Sequence, residues 1–162
     1  MKASQEAFEL IKKYEGLRLR AYKPVPTEKF FTIGYGHTDE SIKQGQIISL
    51  QKAEAILQED VALIEQKLAD YCPNLKQHEF DALVSLIYNI GWYHFRYSTT
   101  GNFCKDIHKV YSSIAVARRI ILWVKAGGKT LLGLQKRRVE EANHFMGGNY
   151  FTLENGEIIE TL

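Results

Sequence analysis

One run constrains the fold of this chain more than any other. From Ser49 to Tyr71 the residues Leu50, Ala53, Leu57, Val61, Ile64, Leu68 and Tyr71 recur every three or four positions, while the opposite side is built from Gln, Glu, Asp and Lys. That is the period of an α-helix with one apolar stripe. Ser49 can accept a hydrogen bond from a free amide of the first turn, and Pro73 cannot continue the helix, so both ends are marked. A helix of this length is a rod of roughly 30 Å, and the shorter segments on either side must pack around it. The predicted architecture is α+β within a single domain: a β-containing lobe with a short helix at about 1–48, a connecting helix at about 49–72, and a helical lobe at about 73–147, with a groove between the lobes.

The flanks fill in that outline. Ser4 caps a short amphipathic run carrying Phe8, Ile11 and Tyr14, which Gly16 stops, leaving Glu15 at a helix end. Leu17, Leu19 and Ala21 then alternate with Arg18, Arg20 and Tyr22, and a turn from Pro24 to Thr27 precedes Phe30-Phe31-Thr32-Ile33. The pattern predicts a small antiparallel hairpin or three-stranded sheet. Beyond Pro73, Phe80, Leu83, Val84 and Ile87 mark a second helix that closes near Gly91. Residues 112 to 125 read as helical around Trp123, and a last helix runs from about Leu134 to Phe145. The acidic stretch at 148–162 is expected to be a partly ordered tail.

Composition narrows the function classes. The 162 residues carry a net charge of +2 with basic residues in scattered pairs, a weak platform for a nucleic-acid partner. No stretch reaches the ~20 apolar residues of a membrane span, and the polar start Met1 to Glu6 has no apolar signal core. Synthesis as a cytoplasmic monomer is the expectation. Cys72 and Cys104 lack metal spacing and are expected to be free thiols. Trp92 and Trp123 are assigned to packing. His37 has no second ligand-type residue at metal spacing, so neither a metal nor another cofactor is expected.

Two segments carry the chemistry. Tyr14-Glu15-Gly16-Leu17-Arg18-Leu19-Arg20-Ala21-Tyr22 is followed by Thr32-Ile33-Gly34-Tyr35-Gly36-His37-Thr38. Paired glycines around an aromatic residue let a backbone bend or approach another group closely. Together these segments resemble the N-terminal signature of phage-type lysozymes, the endolysins of tailed bacteriophages. Similarity continues through Phe80 to Gly91, Ser98-Thr99, Trp123, Ala126 to Lys129 and Gly133 to Arg138, covering roughly residues 4 to 147 in order.

The resemblance implies a lysozyme-like fold and a muramidase that hydrolyses the β-1,4 bond between N-acetylmuramic acid and N-acetylglucosamine in bacterial peptidoglycan. It implies Glu15 as the proton-donating acid and Thr32 as the residue placing the attacking water. It also implies that Arg137 or Arg138 crosses the groove to orient Glu15. Tyr35, His37 and Asn89 are candidate sugar contacts, since aromatic faces stack on pyranose rings and amides bond N-acetyl groups. Release to the wall through a holin partner is a further implication.

An inverting glycosidase spaces its acid and base by about 6.5–9.5 Å so that water fits between base and sugar. The best-known members carry an aspartate soon after the motif's tyrosine. Here Tyr22 leads into Lys23-Pro24-Val25-Pro26-Thr27-Glu28-Lys29, and Pro24 falls near the expected position. Three readings stay open: Glu28 serves as base from a remodelled turn, Thr32 and backbone groups hold the water with Glu15 alone essential, or turnover is lost and the domain only binds the wall.

Overall fold

A computed structural model describes residues 1–161. The chain begins with α1 (Gln5–Glu15) and a three-stranded antiparallel sheet of β1 (Arg18–Tyr22), β2 (Phe31–Gly34) and β3 (His37–Asp39), ordered β1-β2-β3. Helix α2 (Leu50–Tyr71) leads out of this lobe, and α3 (Gln77–Ile90), α4 (Trp92–Arg96), α5 (Thr99–Lys105) and α6 (Ser113–Ile120) follow. The two-residue strands β4 (Lys125–Ala126) and β5 (Lys129–Thr130) form a small hairpin before α7 (Leu132–Met146), and β6 (Phe151–Glu154) pairs with β7 (Glu157–Glu160) at the end.

The expected caps are in place. Ser4 accepts from the amide of Glu6, and Ser49 accepts from the amide of Lys52, so each helix starts where a side chain satisfies a free N–H. Helix α2 buries Ala53, Leu57, Val61 and Leu68 from the stripe read in the sequence, together with Glu65, while Ile64 and Tyr71 are partly buried and Leu50 is exposed. Helix α3 is the hub of the molecule. Every residue from Glu79 to Ile87 is buried, because α1, α2 and α7 all pack against it. A helix enclosed on all sides needs partners for its polar groups. Asp81 accepts from the Ser4 amide at 2.9 Å, and Glu79 accepts from the Lys76 amide at 2.8 Å and the Ser113 hydroxyl at 2.7 Å.

Two expectations need correction. The segment after Gly147 is a hairpin rather than a partly ordered tail: Asn143 accepts from the amides of Tyr150 and Phe151, both at 2.8 Å, and the Phe151 ring is buried in the core. Its turn is Asn155-Gly156, both at positive φ (50° and 81°), the geometry that suits a two-residue hairpin loop. The helical run expected over 112–125 stops at Ile120, and Trp123 lies beyond it with its indole N–H donating to Thr100 Oγ1 at 3.0 Å. Helices α4 and α5 are additions, too short to print a period on the sequence.

Candidate active site

Glu15 is the last residue of α1, because Gly16 takes φ 69° and its amide closes onto the carbonyl of Lys12 at 3.1 Å. A helix C-terminus carries partial negative charge, so a carboxylate there needs a cation. Arg137 of α7 supplies it: Nη1 lies 2.5 Å from Glu15 Oε1, with the arginine side chain 3% exposed and the glutamate 19%. The second oxygen, Oε2, receives no protein hydrogen bond among the described residues and faces the turn between β2 and β3. A Cβ placed on Gly36 would stand 3.0 Å from this oxygen, and Gly36 has φ 84°. Glycine is therefore required twice here, for its backbone angle and for the space it leaves to Glu15.

Behind this pair lies a closed ionic network. Arg137 Nε donates to Glu141 Oε1 at 2.9 Å and Nη2 to the carbonyl of Ser85 at 3.1 Å, while the Ser85 hydroxyl also donates to Glu141 at 2.7 Å. Arg138 donates to the other Glu141 oxygen, to Asn89 Oδ1, and from Nε to the carbonyl of Trp123 at 2.9 Å. Arg138 and Glu141 are both fully buried. Burial pulls Arg137 down, but the carboxylates of Glu141 and Glu15 outweigh it and leave its pKa raised. For Arg138 burial wins over Glu141, and its pKa lies below the ordinary arginine value.

Of the two arginines, then, Arg137 meets Glu15 and Arg138 stays behind it. Both guanidinia are held by protein acceptors, Arg137 by Glu15, Glu141 and Ser85 and Arg138 by Glu141, Asn89 and Trp123. Tyr35 is likewise engaged from within the protein. Its ring is 8% exposed within the core, and its hydroxyl donates to Glu54 Oε1 at 2.9 Å. Its carbonyl accepts from the Tyr88 hydroxyl at 2.7 Å, which steadies the turn that presents Gly36.

His37 and Asn89 remain partly open. His37 Nδ1 lies 2.7 Å from Asp60 Oδ2, and that hydrogen bond raises the imidazole pKa against the opposing effect of burial. Asn89 is exposed at the end of α3, with Oδ1 taken by Arg138 and no protein acceptor for its amide hydrogens among the described residues. It lines an open pocket of about 320 Å³ together with His94, Trp123, Lys125 and Arg138.

Thr32, in β2, is 3% exposed and its hydroxyl lies 2.7 Å from that of Thr38 in β3. Glu28 sits in the long turn between β1 and β2, half-buried, with its amide closing onto the Val25 carbonyl at 3.0 Å. No hydrogen bond or ion pair joins its carboxylate to Glu15 or Thr32 among the described residues. Sequence reasoning missed Ser85, Glu141 and Thr38. The signal for Glu141 was present as a glutamate three and four residues after Arg138 and Arg137, on the helix face those arginines share.

Among proteins of known structure this layout is the lysozyme-like fold. The muramidase domain of SpmX from Asticaccaulis excentricus superposes with a TM-score of 0.78 at 31% identity, covering 90% of this chain and 97% of that one. A variant of P22 lysozyme gives 0.75 at 32% identity, over 90% and 99%. Residues 12–141 match the family model for phage lysozyme, and the chain belongs to the phage lysozyme family. The endolysin of Bacillus phage B103 is 42% identical over 159 residues, covering 91% of this chain and 55% of its own length. The endolysin of Salmonella phage P22 is 34% identical over 148 residues, covering 88% and 97%. The chain thus spans a little over half the length of the Bacillus phage relative, and nearly the full length of the P22 one. No described helix is long and apolar enough to cross a membrane.

Proposed function

We propose that this chain is a muramidase that cleaves the β-1,4 N-acetylmuramic acid–N-acetylglucosamine bond of bacterial peptidoglycan, acting as an endolysin. The observation that carries the reading is the asymmetry of Glu15: Oε1 is clasped by the buried Arg137, while Oε2 stands clear beside Gly36. A fixed carboxyl with one unoccupied oxygen is what a general acid needs to meet a glycosidic oxygen at a defined angle. Arg137 orients the acid and does not touch substrate. Water attacks from the opposite face of the sugar, held by Thr32, whose hydroxyl is oriented by Thr38. Asn89 donates its free amide hydrogens to an N-acetyl carbonyl, and His37 contributes Nε2 beside the Gly36 turn.

Glu28 is the candidate base in place of the missing aspartate, since it is the carboxylate of the turn that leads into Thr32. The protein works as a monomer that needs no cofactor, and a holin supplies passage to the wall. Muropeptide release from purified sacculi tests these roles together. Glu15→Gln should abolish release with the fold intact, and full activity in that variant removes Glu15 from the mechanism. Glu28→Gln separates the two water-holding schemes: loss of kcat makes Glu28 the base, whereas near-native kcat leaves the water to Thr32 and backbone groups. Tight binding of wild-type protein to sacculi with no release would instead establish a wall-binding module.

A further inference from the structure

On the side of the molecule formed by the start of α1, the start of α3 and the end of α7, three potential ligand residues converge. Glu6, Asp81 and His144 each offer an atom, and all three atoms lie within 4.8 Å of one another. His144 Nε2 has less than 1 Å² of exposed surface and no hydrogen-bond partner, although Glu6 Oε2 is only 3.5 Å away. A buried ring nitrogen left unsatisfied in this way lacks a partner that its surroundings are built to supply. We propose that Glu6, Asp81 and His144 form a binding site for a divalent transition-metal ion of the zinc class.

The donor set fits that chemistry. One neutral imidazole and two carboxylates balance a doubly positive ion, and three protein ligands with water in a fourth position is a common zinc arrangement. Zinc ligands at about 2.0–2.2 Å stand roughly 3.4 Å apart in a tetrahedron; His144 Nε2 and Glu6 Oε2 already stand 3.5 Å apart, and all three ligand atoms lie within 4.8 Å of one another. Glu6 is the adjustable member: its side chain is 69% exposed, and its carboxylate's ion pair is the loose one to His144. Asp81 stays fixed. It accepts from the Ser4 amide at 2.9 Å, the Ser4 hydroxyl at 2.6 Å and Gln77 Nε2 at 2.9 Å, the kind of outer hydrogen bonding that aims a metal-bound carboxylate.

Access is provided by open pockets of about 290 and 400 Å³, both lined by Glu6 and His144, one also by Glu9 and Lys13 and the other by His78. Magnesium and calcium do not suit the site, because they select oxygen-only shells. The three residues are distant in sequence and carry no ligand spacing, which is why no metal was expected from the primary structure. The bound ion joins α1, which ends in Glu15, to α7, which carries Arg137, and so adds a clasp between the two elements that hold the acid.

Cobalt(II) titration of the metal-free full chain at neutral pH tests the site through the visible d–d bands of a four-coordinate ion, with zinc binding followed by calorimetry. One zinc should bind at micromolar concentration and displace cobalt, and magnesium should not. His144→Ala and Glu6→Gln should each weaken zinc roughly tenfold to hundredfold, while His78→Ala binds as the wild type does. Failure of zinc to saturate one site, or unchanged affinity in His144→Ala, overturns the proposal and leaves only the loose contact between His144 and Glu6. Circular dichroism of each variant confirms that it is folded. Because binding is read without substrate, either outcome is independent of Glu15 as the acid.

Discussion

Glu141 is the residue whose removal should cost most, and Glu141→Gln measures how much of the fold depends on one buried charge. Four ionised groups meet at the lobe junction, Arg137 and Arg138 against Glu15 and Glu141, for a net charge of zero. Glutamine keeps the shape but leaves one uncompensated positive charge among groups that are fully or almost fully buried. Three donors lose a charged acceptor: Ser85 Oγ at 2.7 Å, Arg137 Nε at 2.9 Å and Arg138 Nη1. Breaking a buried ion pair from one side costs about 3–5 kcal/mol, against a total stability of about 5–15 kcal/mol for a domain. For a chain of this size that is a fall in Tm of roughly 6–20 °C.

Thermal and urea unfolding followed by circular dichroism give the number directly. Glu15→Gln is the internal control. Its side chain is partly solvated and Arg137 keeps Glu141 after the change, so it should cost clearly less than Glu141→Gln. A Glu141→Gln protein as stable as wild type, or a Glu15→Gln protein as unstable as Glu141→Gln, would refute the account of the network.

Other expectations follow from the same geometry. The His37 pKa is raised, with its hydrogen bond to Asp60 as the largest cause, so the pair stabilises the folded chain fully below the unfolded histidine value of about 6.5 and loses that contribution as pH rises through the folded value. The Tm gap between wild type and Asp60→Asn should therefore be wider at about pH 5.5 than at about pH 8.5, and an equal gap at both removes the pair as its cause. Gly36→Ala should lose activity as well as about 1 kcal/mol or more of stability, since the new methyl meets Glu15 Oε2 at a φ of 84°; native turnover would show that the acid is not held there. Thr38→Val should lower kcat with little change in KM and Thr38→Ser should restore it, whereas equal losses in both variants would make Thr38 merely structural. Cys72 and Cys104, 2% and 0% exposed, should resist alkylation in the native state and react on unfolding, as measured by thiol labelling over time.

Much of this was legible in the primary structure, and the reasons differ by element. The centre of the α2 stripe and the serine caps are local signals, read from neighbours a few residues away, and they survive into the fold. So does the position of Glu15, because Gly16 ends its helix whatever packs nearby. The choice between Arg137 and Arg138 was not legible: adjacent helical residues point about 100° apart, and only the docking of α7 on α3 decides which meets Glu15. The burial of Tyr35 was not legible either, because its motif is the same whether the ring faces groove or core. The Asn155-Gly156 turn was legible and outweighed by the acidic composition around it, while burial of Phe151 by Asn143 and the core depends on residues far back in the chain.

The wiring of the junction separates two properties that active sites often bind together. Glu15 is the most weakly rooted of the four charges, and Glu141 the most deeply rooted. On the proposed mechanism, change at the outer position removes chemistry and leaves the architecture standing, whereas change at the inner one undermines the fold. On that same mechanism, one outer substitution separates a turnover-competent scaffold from an inert one of the same shape.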